Sequence, residues 1–276
     1  MKTENERANP IGVFDSGVGG LTVVREIMRQ LPGEKIIYFG DTARVPYGSK
    51  SKETITKYSR QIIRFLKTKN VKAIVIACNT ASAYALEDIK NEIDIPIMGV
   101  IEPGARAAAM TTANKRIGII GTEATIASGI YSEFIKKILT DAKVAGKACP
   151  LFVPLVEEGY TDDPVTTEIA SRYLKDLKQE NIDTLILGCT HYPLLRKTIA
   201  DIMGSGVSLV NPAYETATQL REMLMKEGLM AEEKLDEESG KYEIFVSDTT
   251  KKFEDFARTI LPSDFDSIRK INIEEY

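Results

Sequence analysis

The chain is poor in the residues that catalysis and cross-linking draw on most. Its 276 residues include no tryptophan, one histidine and three cysteines. Three widely spaced thiols cannot make a disulfide framework, and they point to a reducing cytoplasm. The single histidine, His191, also removes most zinc chemistry. A site would have to gather Cys78, Cys149, Cys189 and His191 from distant segments without a C-x-x-C pair to start it. No metal is therefore expected. Basic excess is missing too. The formal net charge is −4, which offers no field for nucleic acid or anionic lipid. No apolar run is long enough to span a bilayer, and the opening MKTENERANP has no apolar core, so neither a membrane span nor a signal peptide is expected.

What is present is ordinary globular material, 43% hydrophobic and 28% charged, of a length suiting two modest domains or one large α/β domain. PIGVFD (10–15), KIIYFG (35–40), KAIVIA (72–77) and IPIMGV (95–100) are apolar without polar alternation, the pattern of strands buried on both faces. Residues 51–70 carry Ile55, Tyr58, Ile62 and Phe65 at helical spacing, and 80–93 reads as a second helix with Thr80 as its N-cap. Strands alternating with helices predict βαβ units and mostly parallel sheets.

The pattern then restarts. RIGIIGTEATIAS (116–128) echoes PIGVFDSGVGGLT, and TLILGCTHYPLL (184–195) echoes AIVIACNTASA, each roughly a hundred residues downstream. Two similarly wound halves are expected. Residues 207–224 add a strand and a helix with Pro212 near its start. The charge run 231–241 reads as a solvated loop, and YEIFVSD and KKFEDFARTIL close the chain as strand and helix.

In open parallel sheets, ligands bind beyond the carboxyl ends of the strands. Here those ends are DSG (15–17), DTARVPYG (41–48), CNTAS (78–82), GTEAT (121–125) and GCTHYP (188–193). Hydroxyls, amides and free N–H groups at helix starts suit a small anionic ligand. FDSGVGGLT is a poor dinucleotide fingerprint, since Thr22 stands where a third glycine is needed and Asp15 would repel pyrophosphate. Nothing in the sequence argues for pyridoxal phosphate. The sharper signal is Cys78 and Cys189, each ending an apolar strand and each in a different half. A helix N-terminus lowers a thiol's pKa, so thiolate is expected near neutral pH. Two sulfurs facing one carbon from opposite sides could remove a proton from one face and return it to the other. A cysteine hydrolase would need one sulfur with His191 as base, but groups two residues apart usually point apart.

IGVFDSGVGGLTV, YFGDTARVPYG, IACNTASA and GCTHYPLL, in that order, resemble the signatures of the bacterial glutamate racemases, in the cofactor-independent aspartate/glutamate racemase family. The likeness runs from residue 10 to about 260 and departs at Val45, where many members carry cysteine; the tail after 262 is unmatched. The resemblance implies an α/β fold of two similarly wound domains, 1–100 plus 211–276 and 101–210, with the active site in the cleft between them. It implies interconversion of L- and D-glutamate without a cofactor, supplying D-glutamate for peptidoglycan, in a cytoplasmic homodimer. Cys78 and Cys189 would be the paired acid and base, with Asp15 assisting the first and His191 and Glu157 the second. Asp15, Ser16, Tyr47, Gly48, Asn79, Thr80, Thr122, Thr190 and His191 would hold the substrate.

Sulfurs placed for proton transfer would lie roughly 3.5 Å from the α-carbon, hence about 7 Å apart, too far for a disulfide. Each assignment has a structural alternative. Asp15 could cap the helix beginning near Gly20, Tyr47 could be a surface aromatic, Glu158 competes with Glu157, and Cys149 reads as inert packing. Two other functions compete, a racemase of aspartate and a partner-binding protein on the same fold. GCTHYP, with no acidic residue after Cys-Thr, favours glutamate.

Overall fold

Apolar runs without alternation bury both faces, and the strands they form are sealed from water along their length. The structure is a computed structural model that describes residues 2–231, 242–261 and 268–276. A short helix α1 (Glu4–Ala8) precedes β1 (Ile11–Asp15), α2 (Leu21–Gln30), β2 (Ile36–Gly40), α3 (Lys52–Thr68), β3 (Ala73–Ile76), α4 (Asn79–Ile89), β4 (Ile97–Gly99) and α5 (Ile101–Thr111). The second round runs β5 (Arg116–Gly121), α6 (Glu123–Ala127), α7 (Ile130–Ile138), β6 (Lys143–Ala148), α8 (Phe152–Glu157), α9 (Pro164–Gln179), β7 (Thr184–Gly188), α10 (Arg196–Met203) and β8 (Ser208–Val210). Then come α11 (Pro212–Lys226), β9 (Tyr242–Val246), α12 (Lys251–Ile260) and β10 (Ile268–Lys270). Of the charge run 231–241, all but Ala231 lies outside the described residues.

Two sheets result, ordered β10-β9-β2-β1-β3-β4 and β6-β5-β7-β8, and every described pairing is parallel. The order β2-β1-β3-β4 recurs as β6-β5-β7-β8, so the sequence echo is a repeat of topology. In each sheet the chain reverses its direction of winding between two adjacent strands, β1 and β3 in one, β5 and β7 in the other. At such a switch point the flanking helices diverge and leave a crevice. Both sheets are sandwiched. One face of the six-stranded sheet packs Ile11, Val13 and Val75 with α2, α11 and α12, and the other packs Phe14, Ile74 and Ile76 with α3 and α4. Each such fully buried aliphatic contributes roughly 1.5–3 kcal/mol.

Local signals set the helix ends. Ser51 caps α3 by accepting from Thr54 N, and Asn211 caps α11, with Pro212 at the first helical position. Helix α4 departs from the sequence reading at both ends, and it stops at Ile89 rather than at 93. Helix α4 starts at Asn79 and is capped by Cys78, not by Thr80, whose hydroxyl turns across to Thr122.

Candidate functional site: two cysteines at the switch points of two sheets

Cys78 follows β3 and caps α4, with the Ala81 N–H 3.5 Å from its Sγ and the thiol 3.8 Å from Ser16 Oγ. The sequence reading expects the helix start to lower this thiol. Instead burial, then the Asp15 charge, push Cys78 up to about 12, outweighing the Ala81 N–H and the Ser16 hydroxyl. Asp15 lies fully buried at the end of β1, where its Oδ2 accepts from Gly17 N at 3.2 Å and Gly20 N at 2.9 Å. Gly20 itself is the cap residue of α2. Asp15 thus ties down the turn after β1 and stands one layer behind the cavity, acting on Cys78 through its charge. Its own carboxyl is raised by burial, against the pull of His191 and three backbone N–H groups.

Cys189 follows β7. Although His191 is only two residues on, the turn folds them together, with Nδ1 3.9 Å from the Cys189 Sγ. Two contacts fix that turn. Tyr192 N donates to Cys189 O at 3.1 Å, and the buried Tyr192 hydroxyl donates to Cys149 O at 2.8 Å. Nε2 of His191 lies 3.0 Å from Glu157 Oε1, at the end of α8, so Glu157 rather than Glu158 meets the imidazole. Burial alone would lower His191, but the hydrogen bonds to Cys189 and Glu157 and their charges carry it up to about 10. Glycine at position 19 makes this approach feasible, because a Cβ there would meet the Thr190 hydroxyl and lie 2.5 Å from His191 Nδ1.

Both sulfurs open onto one cavity of ≈ 330 Å³ between the two sheets. Ser16, Tyr47, Gly48, Asn79, Thr80, Thr122, Glu157, Thr190 and His191 line it as well, so of the catalytic and substrate-holding residues that the resemblance implies only Asp15 stays behind the wall. Both cysteines are nearly sealed, at 5% and 7% exposure. Tyr47 is no surface aromatic. It is buried and its hydroxyl donates to Asp41, which also accepts from Arg44 and Ser247.

Contacts across the cavity knit the halves together. Thr80 Oγ1 lies 2.9 Å from Thr122 Oγ1, Thr22 Oγ1 donates to Thr190 O at 3.1 Å, and Ala124 N donates to Gly48 O at 3.1 Å. Sequence reasoning missed Glu123, Val153 and Pro154 in the lining, and Tyr131, whose hydroxyl donates to Asn79 Oδ1 at 2.7 Å. Glu123 lies within GTEAT but was given no role there, and Val153, Pro154 and Tyr131 do not sit at the end of an apolar strand, the signal that revealed the others. Cys149 packs inside the second half and does not reach the cavity. Among the described residues no cluster of three His, Cys, Asp or Glu could hold a metal, and no helix is long and apolar enough to cross a membrane.

The chemistry available here is acid–base. A thiol held protonated and a second sulfur beside an imidazole share one cavity with hydroxyl and amide donors. Comparison with known proteins gives a consistent picture. The family described as Asp/Glu/Hydantoin racemase matches residues 11–220. A glutamate racemase of Geobacter metallireducens is 49% identical over 264 residues, spanning 96% of this chain and 97% of that protein. The solved glutamate racemase isoform RacE1 of Bacillus anthracis is 41% identical with a TM-score of 0.91, over 96% of this chain and 98% of that one. A Francisella tularensis glutamate racemase, solved with D-glutamate, is 37% identical with a TM-score of 0.90, over 98% and 100%. A chain so alike from end to end, and wound on the same frame, belongs to the glutamate racemases of the Asp/Glu/Hydantoin racemase family.

Proposed function

We propose that the protein interconverts L- and D-glutamate by proton transfer between two sulfurs, and that the D-glutamate serves peptidoglycan synthesis. The observation that carries this reading is that Cys78 and Cys189 line one buried cavity from different sheets. One sulfur, as thiolate, takes the α-proton while the C–H electron pair moves onto the α-carbon and its carboxylate. The other, as thiol, protonates the opposite face. The two sulfurs end with protonation states exchanged, ready for the reverse reaction. Cys78, pushed up to about 12, suits the donor role in one direction, with Cys189 as the acceptor.

An α-proton with no imine beside it is very weakly acidic, so the developing carboxylate charge must be met by fixed donors. Ser16, Asn79 and Thr190 supply them in a cavity shielded from water, where such contacts are strongest. Asp15 acts on Cys78 through its charge, while Glu157 and His191 act on Cys189. Tyr47, Gly48, Thr80 and Thr122 shape the remainder of the substrate pocket. In this reading residues 1–100 with 211–276 form one unit and 101–210 the other, and the pairing of β9 with β2 supports that division. The family resemblance also supports a cytoplasmic homodimer, which a single-chain mass in sedimentation equilibrium would overturn.

Circular dichroism of L-glutamate in deuterium oxide tests the chemistry. The signal should decay to zero as deuterium enters the α-carbon, and Cys78→Ala and Cys189→Ala should each abolish the decay. Full racemisation by either variant, or faster turnover of aspartate than glutamate, would refute the assignment.

A further inference from the structure

Tyr131 lies on α7 of the second half, buried to 2% exposure, and its hydroxyl donates to Asn79 Oδ1 at 2.7 Å. Asn79 is the first residue of α4, directly after Cys78. The ring is wedged where both neighbours lack a side chain. A Cβ on Gly188 would lie 3.3 Å from one ring edge atom, and one on Gly104 would lie 3.5 Å from another. Gly188 is the residue immediately before Cys189, so this phenol touches the chain beside both sulfurs. Burial and the Cys189 charge raise the Tyr131 pKa, so the hydroxyl remains a donor at any physiological pH.

An asparagine amide has one acceptor end and one donor end, and a bond that fixes the first also aims the second. With Oδ1 engaged by Tyr131, Nδ2 is the donor that Asn79, a residue of the cavity lining, has to offer. Resting on the racemase reading above, we propose that Tyr131 is a positioning residue. It locks the Asn79 amide so that its NH₂ donates to the α-carboxylate of the substrate as negative charge builds there. Adjacency to Cys78 places that donor by the reacting carbon rather than by the distal carboxylate. The benefit belongs to the transition state, so its loss should appear in kcat more than in KM.

The test is a double-mutant cycle on the full-length protein, followed by circular dichroism of L-glutamate. Tyr131→Phe keeps the ring in its wedge and removes only the hydroxyl. It should lower kcat about tenfold with KM within about twofold, the range expected from one lost hydrogen bond. In an Asn79→Ala background the same change should cost less than about twofold, because the amide through which it acts is gone. Asn79→Asp, which offers oxygen at both ends, should be worse than Asn79→Ala, and it reports on the orientation even if Tyr131→Phe folds poorly. Unchanged kcat in Tyr131→Phe, an equal loss in both backgrounds, or Asn79→Asp milder than Asn79→Ala would overturn the proposal while leaving the racemase reading intact. A wild-type protein that exchanges no α-proton overturns both.

Discussion

Burial opposes charge on Cys78 and on His191 alike, yet only for the thiol does it decide the outcome. Cys78 meets a desolvating wall and a like charge from Asp15, so its proton stays on. His191 has a sulfur on one nitrogen and a carboxylate on the other, and those two partners outweigh the same desolvation. The helix-start rule applied to Cys78 from sequence alone fails here because the N–H contact is long and the site is dry. That a cysteine would end this strand was legible; which force would govern it was not. His191 has a stability consequence. Its folded pKa, about 10, lies above an unfolded value near 6.5, so its contribution is fully present below about pH 6.5 and lost as pH rises through 10. Between pH 7 and 8, below the unfolded cysteine pKa of about 8.5, stability should fall by up to about 1.4 kcal/mol per pH unit from this group. Thermal melts across that window should show a flatter decline for His191→Asn. A slope unchanged by the substitution would remove the raised imidazole from the account. Glu157 and Glu158, indistinguishable in sequence, should separate in kinetics. Losing the carboxylate charge on His191 should cost Glu157→Gln about tenfold or more in kcat/KM, with Glu158→Gln within about twofold.

Elements were readable in proportion to their burial. β1, β2, β3 and β7 are closed to water on both faces, and their apolar runs announced them. β6, reading KVAGKA at a sheet edge, and β10, reading IRK at another, carry half-exposed or charged positions and gave no such run. The turns between elements were harder, since what they must accommodate comes from the other half of the molecule. The turn from β1 to α2 illustrates this: Gly19 looked like part of a broken nucleotide fingerprint, whereas its role is to let Thr190 and His191 come close. Gly19→Ala should therefore force the turns apart, costing roughly 1–3 kcal/mol of stability and at least about tenfold in kcat/KM. Gly33→Ala, where an added Cβ meets nothing within 4 Å, should be silent in both assays and serves as the control. Equal behaviour of the two variants in a melt and a racemisation assay would show that the close approach is dispensable.

Taken over the whole molecule, the strands separate function from cohesion. Their carboxyl ends open onto the cavity, while at the opposite end Lys72, just before β3, is buried against Glu34, just before β2, at 2.5 Å. Lys72 opens the apolar run KAIVIA, and nothing local to it in the sequence indicates that α1 covers it. Its Nζ also donates to Arg7 O at 2.5 Å, and Glu34 Oε1 accepts from Ala231 N at 2.9 Å. The pair thus draws the first helix and the chain beyond α11 onto the base of the six-stranded sheet. Burial lowers the Lys72 pKa, with Glu34 holding the ammonium in its charged form. A buried pair of this kind adds little beyond a well-packed apolar replacement, but breaking it leaves one charge without compensation. Lys72→Met should therefore destabilise the protein by about 3–5 kcal/mol, and Lys72→Met combined with Glu34→Leu should recover most of that loss. At 25 °C the racemisation rate of both variants should stay within about twofold of the parent, since the site lies at the far ends of the same strands. Denaturant titration paired with the racemisation assay checks both halves of this expectation. A single variant as stable as the parent would show the ion pair to be solvated in solution, and a large fall in kcat with the fold intact would show that the base of the sheet is coupled to the cavity.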